Sequence, residues 1–106
     1  MALTTDISMN KARLFISLLK KEGIDVSEAY LFGSGSKGLA DEDSDIDIAV
    51  VSKDFQGLPY YDIKKVSKHR RKIDLRLEIH PFSFEEVETD PPSFFMKIKR
   101  DGLPIF

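Results

Sequence analysis

The sequence predicts a single α/β or α+β domain over residues 1–106, with a small β-sheet covered by helices on at least one face. The first observation is that helical periodicity alternates along the chain with short β-prone runs. The second is a glycine-serine turn that separates two apolar runs, at residues 29–32 and 45–51. The third is size, because 106 residues with 42% hydrophobic side chains can close one modest core. The order of the strands does not follow from this pattern.

The bulk composition narrows the class of protein. A net charge of -2, with 32% charged residues, gives no electrostatic reason to bind nucleic acid or an acidic membrane. The chain contains no cysteine, which excludes disulfides, thiolate catalysis and cysteine-ligated zinc. No apolar run approaches about 18 residues, and the N-terminus lacks the layout of a signal peptide. We therefore expect a soluble cytoplasmic protein.

Two longer helices are predicted, one near the N-terminus and one in the middle of the chain. Ser8 is the expected cap of the first, which ends before Gly23, because its apolar residues follow the i, i+3, i+4, i+7 spacing. A polar helix is expected over residues 60–72, with Ile63 and Val66 facing inward. The apolar residues of the first helix are Ala12, Phe15, Ile16 and Leu19.

The C-terminal part of the chain predicts two short helices and an edge strand. Ser83 and Glu86 match a capping box, which indicates that a helix begins there. A last helix is expected over residues 94–100, stopped by Gly102, and the apolar tail 103–106 is suited to dock as an edge strand. The apolar residues of this segment, Phe94, Phe95, Ile98 and the tail, are expected in the core; an exposed patch there would instead mark a partner surface or a homo-oligomer interface.

The stretch from residue 31 to residue 51 carries the chemistry. Gly33 and Ser34 end the first strand and can offer backbone amides and a hydroxyl to a phosphate. Asp45 and Asp47 open the second strand on one face, about 6.5–7 Å apart along the backbone, since each residue rises about 3.3 Å. Both carboxylates can therefore reach one Mg²⁺, an ion that prefers oxygen ligands and substrate phosphates. The sequence predicts a phosphate site beside a metal site.

A third carboxylate is predicted on a strand over residues 73–79, where apolar and polar side chains alternate. Asp74 is expected to complete a metal-binding and catalytic triad with Asp45 and Asp47. With two metal ions, one would activate the attacking oxygen while the other stabilises the leaving pyrophosphate, and Asp74 is placed to accept the proton. For Arg76 and Glu78, on the same face, a surface ion pair is favoured over a catalytic role.

These motifs resemble a known family. The run Leu-Phe-Gly-Ser, ten further residues and Asp45-Ile-Asp47 is similar to the signature of the DNA polymerase β-like nucleotidyltransferase superfamily, in particular its minimal nucleotidyltransferases. The later Ile73-Asp74-Leu75 looks like the third acidic strand of that family. The resemblance implies a mixed-sheet nucleotidyltransferase fold and Mg²⁺-dependent transfer of a nucleoside monophosphate from an NTP, with ATP the favoured donor. It also implies triphosphate contacts at Gly33 and Ser34.

The resemblance further implies a partner. Minimal members of the family are commonly encoded beside a helical HEPN protein, a toxin that they neutralise as antitoxins, in some cases by adding AMP to it. A HEPN-type acceptor is therefore expected here. Two alternatives stay open: a binding module that silences its partner by contact alone, and an enzyme that modifies a small molecule such as an antibiotic.

Other charged side chains carry weaker signals. Six of the sixteen lysine and arginine residues lie between Lys64 and Lys72, and a solvated helix face is the favoured interpretation, ahead of contact with an acidic partner or nucleic acid. His69 and His80 have no metal-ligand spacing with each other or with the aspartates, so neither is assigned a role.

Overall fold

The computed structural model describes residues 5–33 and 45–106, and it confirms the predicted mixed α/β architecture. Within that part of the chain, no helix is long and apolar enough to cross a membrane. The elements in chain order are α1 (Thr5–Lys21), β1 (Glu28–Phe32), β2 (Ile46–Ser52), α2 (Pro59–Ile73), β3 (Leu77–Ser83), α3 (Phe84–Thr89), α4 (Ser93–Asp101) and β4 (Leu103–Pro104).

The strands form a mixed sheet in the order β3-β2-β1-β4. β1 pairs antiparallel with both β2 and β4, whereas β2 pairs in parallel with β3. The parallel pair is connected through α2, as a crossover between parallel strands requires. The β4 segment Leu103–Pro104 lies at an edge of the sheet, so the predicted docking of the apolar tail is confirmed.

The sheet has a hydrophobic core on each face, because successive side chains of a strand point to opposite sides. Alternate residues of β2, beginning with Ile46, pack with the buried apolar stripe of α1 and with Val66 of α2. Ala49 and Val51 face the other way and pack with Phe95 and Ile98 of α4. Helices therefore cover both faces, and Asp47 falls by alternation on the α4 side.

The third strand is four residues later than predicted. The strand expected over 73–79 begins at Leu77, because α2 continues through Ile73 and the backbone N–H of Asp74 donates to the Arg70 carbonyl. The Arg70 guanidinium donates to the carbonyls of Leu75 and Leu77, which fixes the turn between helix and strand. Asp74 is consequently a helix C-cap residue and not a strand residue.

The helix caps and buried faces differ from the expectation at Ser8 and Ile63 and agree with it at Ser83. Ser8 lies inside α1 and is fully buried, so it is not the N-cap, and its hydroxyl has no hydrogen-bond partner. Ile63 is 42% exposed, while Asp62 is buried at the start of α2, where its carboxylate accepts from the N–H groups of residues 56–58. The Ser83 capping box is confirmed in both directions.

Asp74 is expected to stabilise the fold through its partners. Its carboxylate lies 2.7 Å from the Arg76 Nη2 and 3.9 Å from the Lys11 Nζ, and its side chain is 13% exposed. Hydrogen bonding from Arg76 is the main reason that the pKa of Asp74 falls from its usual 3.8 to about 2, against the opposing effect of burial. The ionised carboxylate therefore favours the folded state at neutral pH.

We expect Asp74→Asn to lower the free energy of unfolding by about 2 kcal/mol at pH 7, as the fall of the Asp74 pKa from 3.8 to about 2 implies. The ionised Asp74 carboxylate contributes its full stabilisation at pH values above its pKa in the unfolded state. This stabilisation is lost as the pH falls toward its pKa in the folded state. The difference between variant and wild type should therefore shrink between about pH 4 and pH 2. Urea denaturation across this range measures it. Asp101→Asn, which removes an exposed pair with Arg100, should cost at most about 1 kcal/mol, and equal stability of all three proteins at pH 7 would contradict the assignment.

Candidate active site

The candidate site lies at the end of the sheet where the last residue of β1 and the first residues of β2 and β3 come together. Asp47 is paired with Phe32 of β1 on one side and with Glu78 of β3 on the other. Because Asp47 and Glu78 are register partners on adjacent strands, their side chains share one face of the sheet. His80, two residues beyond Glu78, lies on that face as well.

Three potential metal ligands converge there. One ligand atom each from Asp47, Glu78 and His80 lies within 4.8 Å of the other two. The Nε2 of His80 lies 3.3 Å from the Oδ1 of Asp47, within hydrogen-bonding distance. Glu78 is exposed, and the side chains of Asp47 and His80 are about one quarter exposed, so a ligand can reach all three.

Among the residues that the structure describes, negative charge dominates the electrostatics of this cluster. The pKa of Glu78 is raised, first by partial burial and then by the negative charge of Asp47, while His80 acts in the opposite direction. Asp45 also contributes to raising it, so this carboxylate, which directly precedes β2, acts on the same site. A bound cation would relieve the repulsion between these carboxylates.

Gly33 closes the site from the end of β1. It adopts a left-handed backbone conformation with φ of +71°, which side-chain-bearing residues rarely adopt. A Cβ at this position would lie 2.5 Å from the Oδ2 of Asp47, so the absence of a side chain also makes room for the carboxylate. Ser34, the other predicted phosphate contact, lies outside the described residues.

The structure does not assemble the triad of Asp45, Asp47 and Asp74 in the form predicted. Over residues 5–33 and 45–106, the set of acidic and histidine ligand atoms that converges within 4.8 Å comes from Asp47, Glu78 and His80. Asp74 lies in the turn before β3, where Arg76 and Lys11 neutralise it. Arg76 forms its ion pair with Asp74, as the ion-pair interpretation allows, whereas Glu78 faces Asp47.

Sequence reasoning missed Glu78 and His80, although a signal for them exists. Glu78-Ile79-His80 repeats the polar-apolar-polar pattern of Asp45-Ile46-Asp47, and both segments begin a strand. The two patterns come together because β2 and β3 run parallel with Asp47 opposite Glu78. Recognising the pair required the strand register, which the sequence does not contain.

An aromatic wall borders the carboxylates. The ring of His80 lies 4.9 Å from the ring of Phe32 and 5.8 Å from the ring of Phe94, in edge-to-face arrangements. Phe32 and Phe94 are themselves 5.8 Å apart, so the three rings form one cluster. Phe94 is 49% exposed and forms the solvent side of this wall. The packing holds the imidazole beside Asp47.

Comparison with known proteins identifies the family. The family model of the nucleotidyltransferase domain matches residues 12–102, which include every element that builds the site. The chain belongs to the nucleotidyltransferase domain family. As a minimal nucleotidyltransferase of the DNA polymerase β-like superfamily, it is an enzyme of nucleoside monophosphate transfer, in agreement with the signature at residues 31–47. No curated protein matches the chain.

The fold of this nucleotidyltransferase also has a counterpart of known structure. It is similar to the crystal structure of a Sulfolobus solfataricus protein provisionally described as a nucleotidyltransferase, with a TM-score of 0.65 and 21% sequence identity. The match covers 94% of this chain and 80% of the other. At this identity the similarity supports the fold of the nucleotidyltransferase and nothing more specific.

Gly33→Ala should damage the site more than the fold. The added methyl group would strain the left-handed backbone and displace the Asp47 carboxylate, so we expect metal and nucleotide binding to weaken by at least about 10-fold, the lower end of the cost of disturbing ligand orientation. Isothermal titration with Mg²⁺ and a non-hydrolysable NTP measures this. Gly23→Ala is the matched control, because Gly23 has a similar φ of +84° but no atom within 4 Å of the added methyl. Unchanged binding in Gly33→Ala, or equal loss in Gly23→Ala, would contradict the expectation.

Proposed function

We propose that this nucleotidyltransferase transfers AMP from ATP to a protein acceptor, with Asp45, Asp47 and Glu78 as the carboxylates that bind a divalent metal ion. The observation that carries the proposal is the pairing of Asp47 with Glu78 across β2 and β3, beside the Gly33 turn. A strand that begins with acidic residues next to a tight glycine turn suits an NTP, which brings both phosphates and metal.

The donor set fits a divalent cation. Asp47 and Glu78 place carboxylate oxygens within 4.8 Å of each other. Burial is the main cause of the raised pKa of Glu78, and the negative charge of Asp47, which a cation would offset, adds to it. Mg²⁺ is the ion that the family resemblance implies. When bound, such an ion stabilises the negative charge that develops on the transferred phosphoryl group and the leaving pyrophosphate.

The reaction assigns a distinct task to each side chain. An acceptor oxygen forms a bond to the α-phosphorus while the bond from that phosphorus to the β-phosphate oxygen breaks, and the acceptor hydroxyl gives up its proton. Glu78 takes the role that the sequence suggested for Asp74, which is to help bind the metal ion and to accept the proton of the acceptor hydroxyl. The reason is that Glu78 is exposed beside Asp47, whereas Asp74 is already bound by Arg76. Asp47 is held in place by the Gly33 turn and by His80.

The acceptor that we propose is a helical HEPN-type protein, so that the enzyme would serve as the antitoxin of a toxin-antitoxin pair. The support is the resemblance of residues 31–51 to minimal nucleotidyltransferases. A net charge of -2 supports a protein acceptor over nucleic acid.

Transfer of label tests both the reaction and the site. With α-³²P-labelled ATP, Mg²⁺ and the product of the gene adjacent to this one, we expect label on that protein if it is the HEPN-type acceptor. Glu78→Gln should reduce the transfer rate by at least about 100-fold, the usual cost of losing one preorganised electrostatic group. Glu88→Gln, on the exposed end of α3, is the control and should leave the rate unchanged. Asp74→Asn should retain most of the activity once its lower stability is allowed for.

Three results would contradict parts of this proposal. If Asp74→Asn removed activity and Glu78→Gln did not, the third carboxylate would be Asp74. If the partner were silenced equally by the wild type and by the Asp45→Asn/Asp47→Asn variant without label transfer, the protein would act by contact alone. If a small molecule but no protein accepted the label, the HEPN acceptor would be wrong while the nucleotidyltransferase site would stand.

A further inference from the structure

His80 is the side chain of the site that the proposed function leaves without a chemical role. It lies in β3 two residues from Glu78, and its Nε2 is 3.3 Å from the Oδ1 of Asp47. Two ligands at right angles on one metal are about 3 Å apart, since metal-ligand bonds measure about 2.0–2.2 Å. The 3.3 Å between the His80 nitrogen and the Asp47 oxygen, a hydrogen-bonding distance without the ion, is therefore also close to the separation of two adjacent ligands of one ion.

The imidazole is fixed in this place by its surroundings. Its ring packs edge-on against Phe32 at 4.9 Å and Phe94 at 5.8 Å, and its backbone is within the β2-β3 pairing, opposite Ala49. A side chain held by packing loses little freedom on binding a ligand. His80 thus presents its nitrogen to the carboxylates before any ion arrives.

We propose that His80 binds the metal directly, which makes this a mixed nitrogen-oxygen site that favours Mn²⁺ over Mg²⁺. The proposal rests on the proposed function, because it concerns the same metal. Mn²⁺ suits carboxylate and water ligands as Mg²⁺ does, but as a first-row transition metal it accepts an imidazole nitrogen more readily than Mg²⁺, which takes oxygen ligands almost exclusively. Asp47, Glu78 and His80 give two carboxylates and one nitrogen, with ligand atoms within 4.8 Å of one another.

Mn²⁺ alone, added to the full chain without nucleotide, tests the ligand. We expect pulsed electron paramagnetic resonance of the bound ion to show coupling to ¹⁴N, the signature of a bound imidazole. His80→Phe should abolish this coupling while keeping an aromatic ring against Phe32 and Phe94. The chain has two histidines, so His69→Asn is the matched control, used only if its circular dichroism spectrum matches the wild type, because His69 is buried. It should retain the coupling.

Selectivity gives a second and independent measurement. By isothermal titration, the ratio of the Mg²⁺ to the Mn²⁺ dissociation constant should fall at least about 10-fold in His80→Phe and in His80→Asn. Two variants are needed because phenylalanine and asparagine disturb the pocket differently. An absence of Mn²⁺ binding, of ¹⁴N coupling, or of any change in the ratio in both variants would overturn the proposal.

These outcomes separate the metal inference from the proposed function. If Mn²⁺ binds with ¹⁴N coupling but no NTP is used, the mixed-ligand site stands and the transfer reaction falls. If label transfer with Mg²⁺ proceeds equally in the wild type and His80→Phe, and neither shows ¹⁴N coupling with Mn²⁺, the reaction stands and His80 is only a positioning residue for Asp47.

Discussion

The parallel pairing of β2 with β3 is the constraint on which the site depends. It sets Asp47 directly opposite Glu78, and like charges in that position disfavour strand pairing. The cost is offset by buried apolar neighbours on both strands, Ile46 and Ile48 with Leu77 and Ile79, which pack against the helices on the other face. An unfavourable pair of like charges thus lies at the candidate site, while favourable apolar pairs hold the same two strands together beside it.

The two faces of the sheet differ in role, because one carries the larger hydrophobic core and the other carries the accessible carboxylates. The α1 and α2 face carries the larger core, and its residues continue along β1, β2 and β3. On the α4 face the apolar core takes in Ala49 and Val51, toward the end of β2, while Asp47 lies at its beginning. Helix α4 and the aromatic wall therefore border the carboxylates of Asp47 and Glu78. Both carboxylates stay accessible at one end of the sheet.

Short sequence patterns predicted those features of the fold that depend on residues close together in the chain. The first two strands, the Gly33 turn and the capping box at Ser83 follow from periodicity and turn chemistry. The third strand did not follow, because alternation with a period of two fits a strand from residue 73 as well as one from residue 77. The choice is made by contacts beyond any short pattern: Arg70 closes the turn on the Leu77 carbonyl, and Arg76 binds Asp74.

Asp74 and Glu78 show why charge environment discriminates where residue type cannot. Both are carboxylates on the same predicted face, yet Arg76 lowers the pKa of Asp74 whereas burial and Asp47 raise the pKa of Glu78. A carboxylate already neutralised by arginine gains little from a cation, and moving it to a metal would break its ion pair with Arg76. Glu78 has the opposite balance, since burial and Asp47 raise its pKa and His80 offsets only part of that effect. A bound cation would therefore relieve more repulsion at Glu78 than at Asp74.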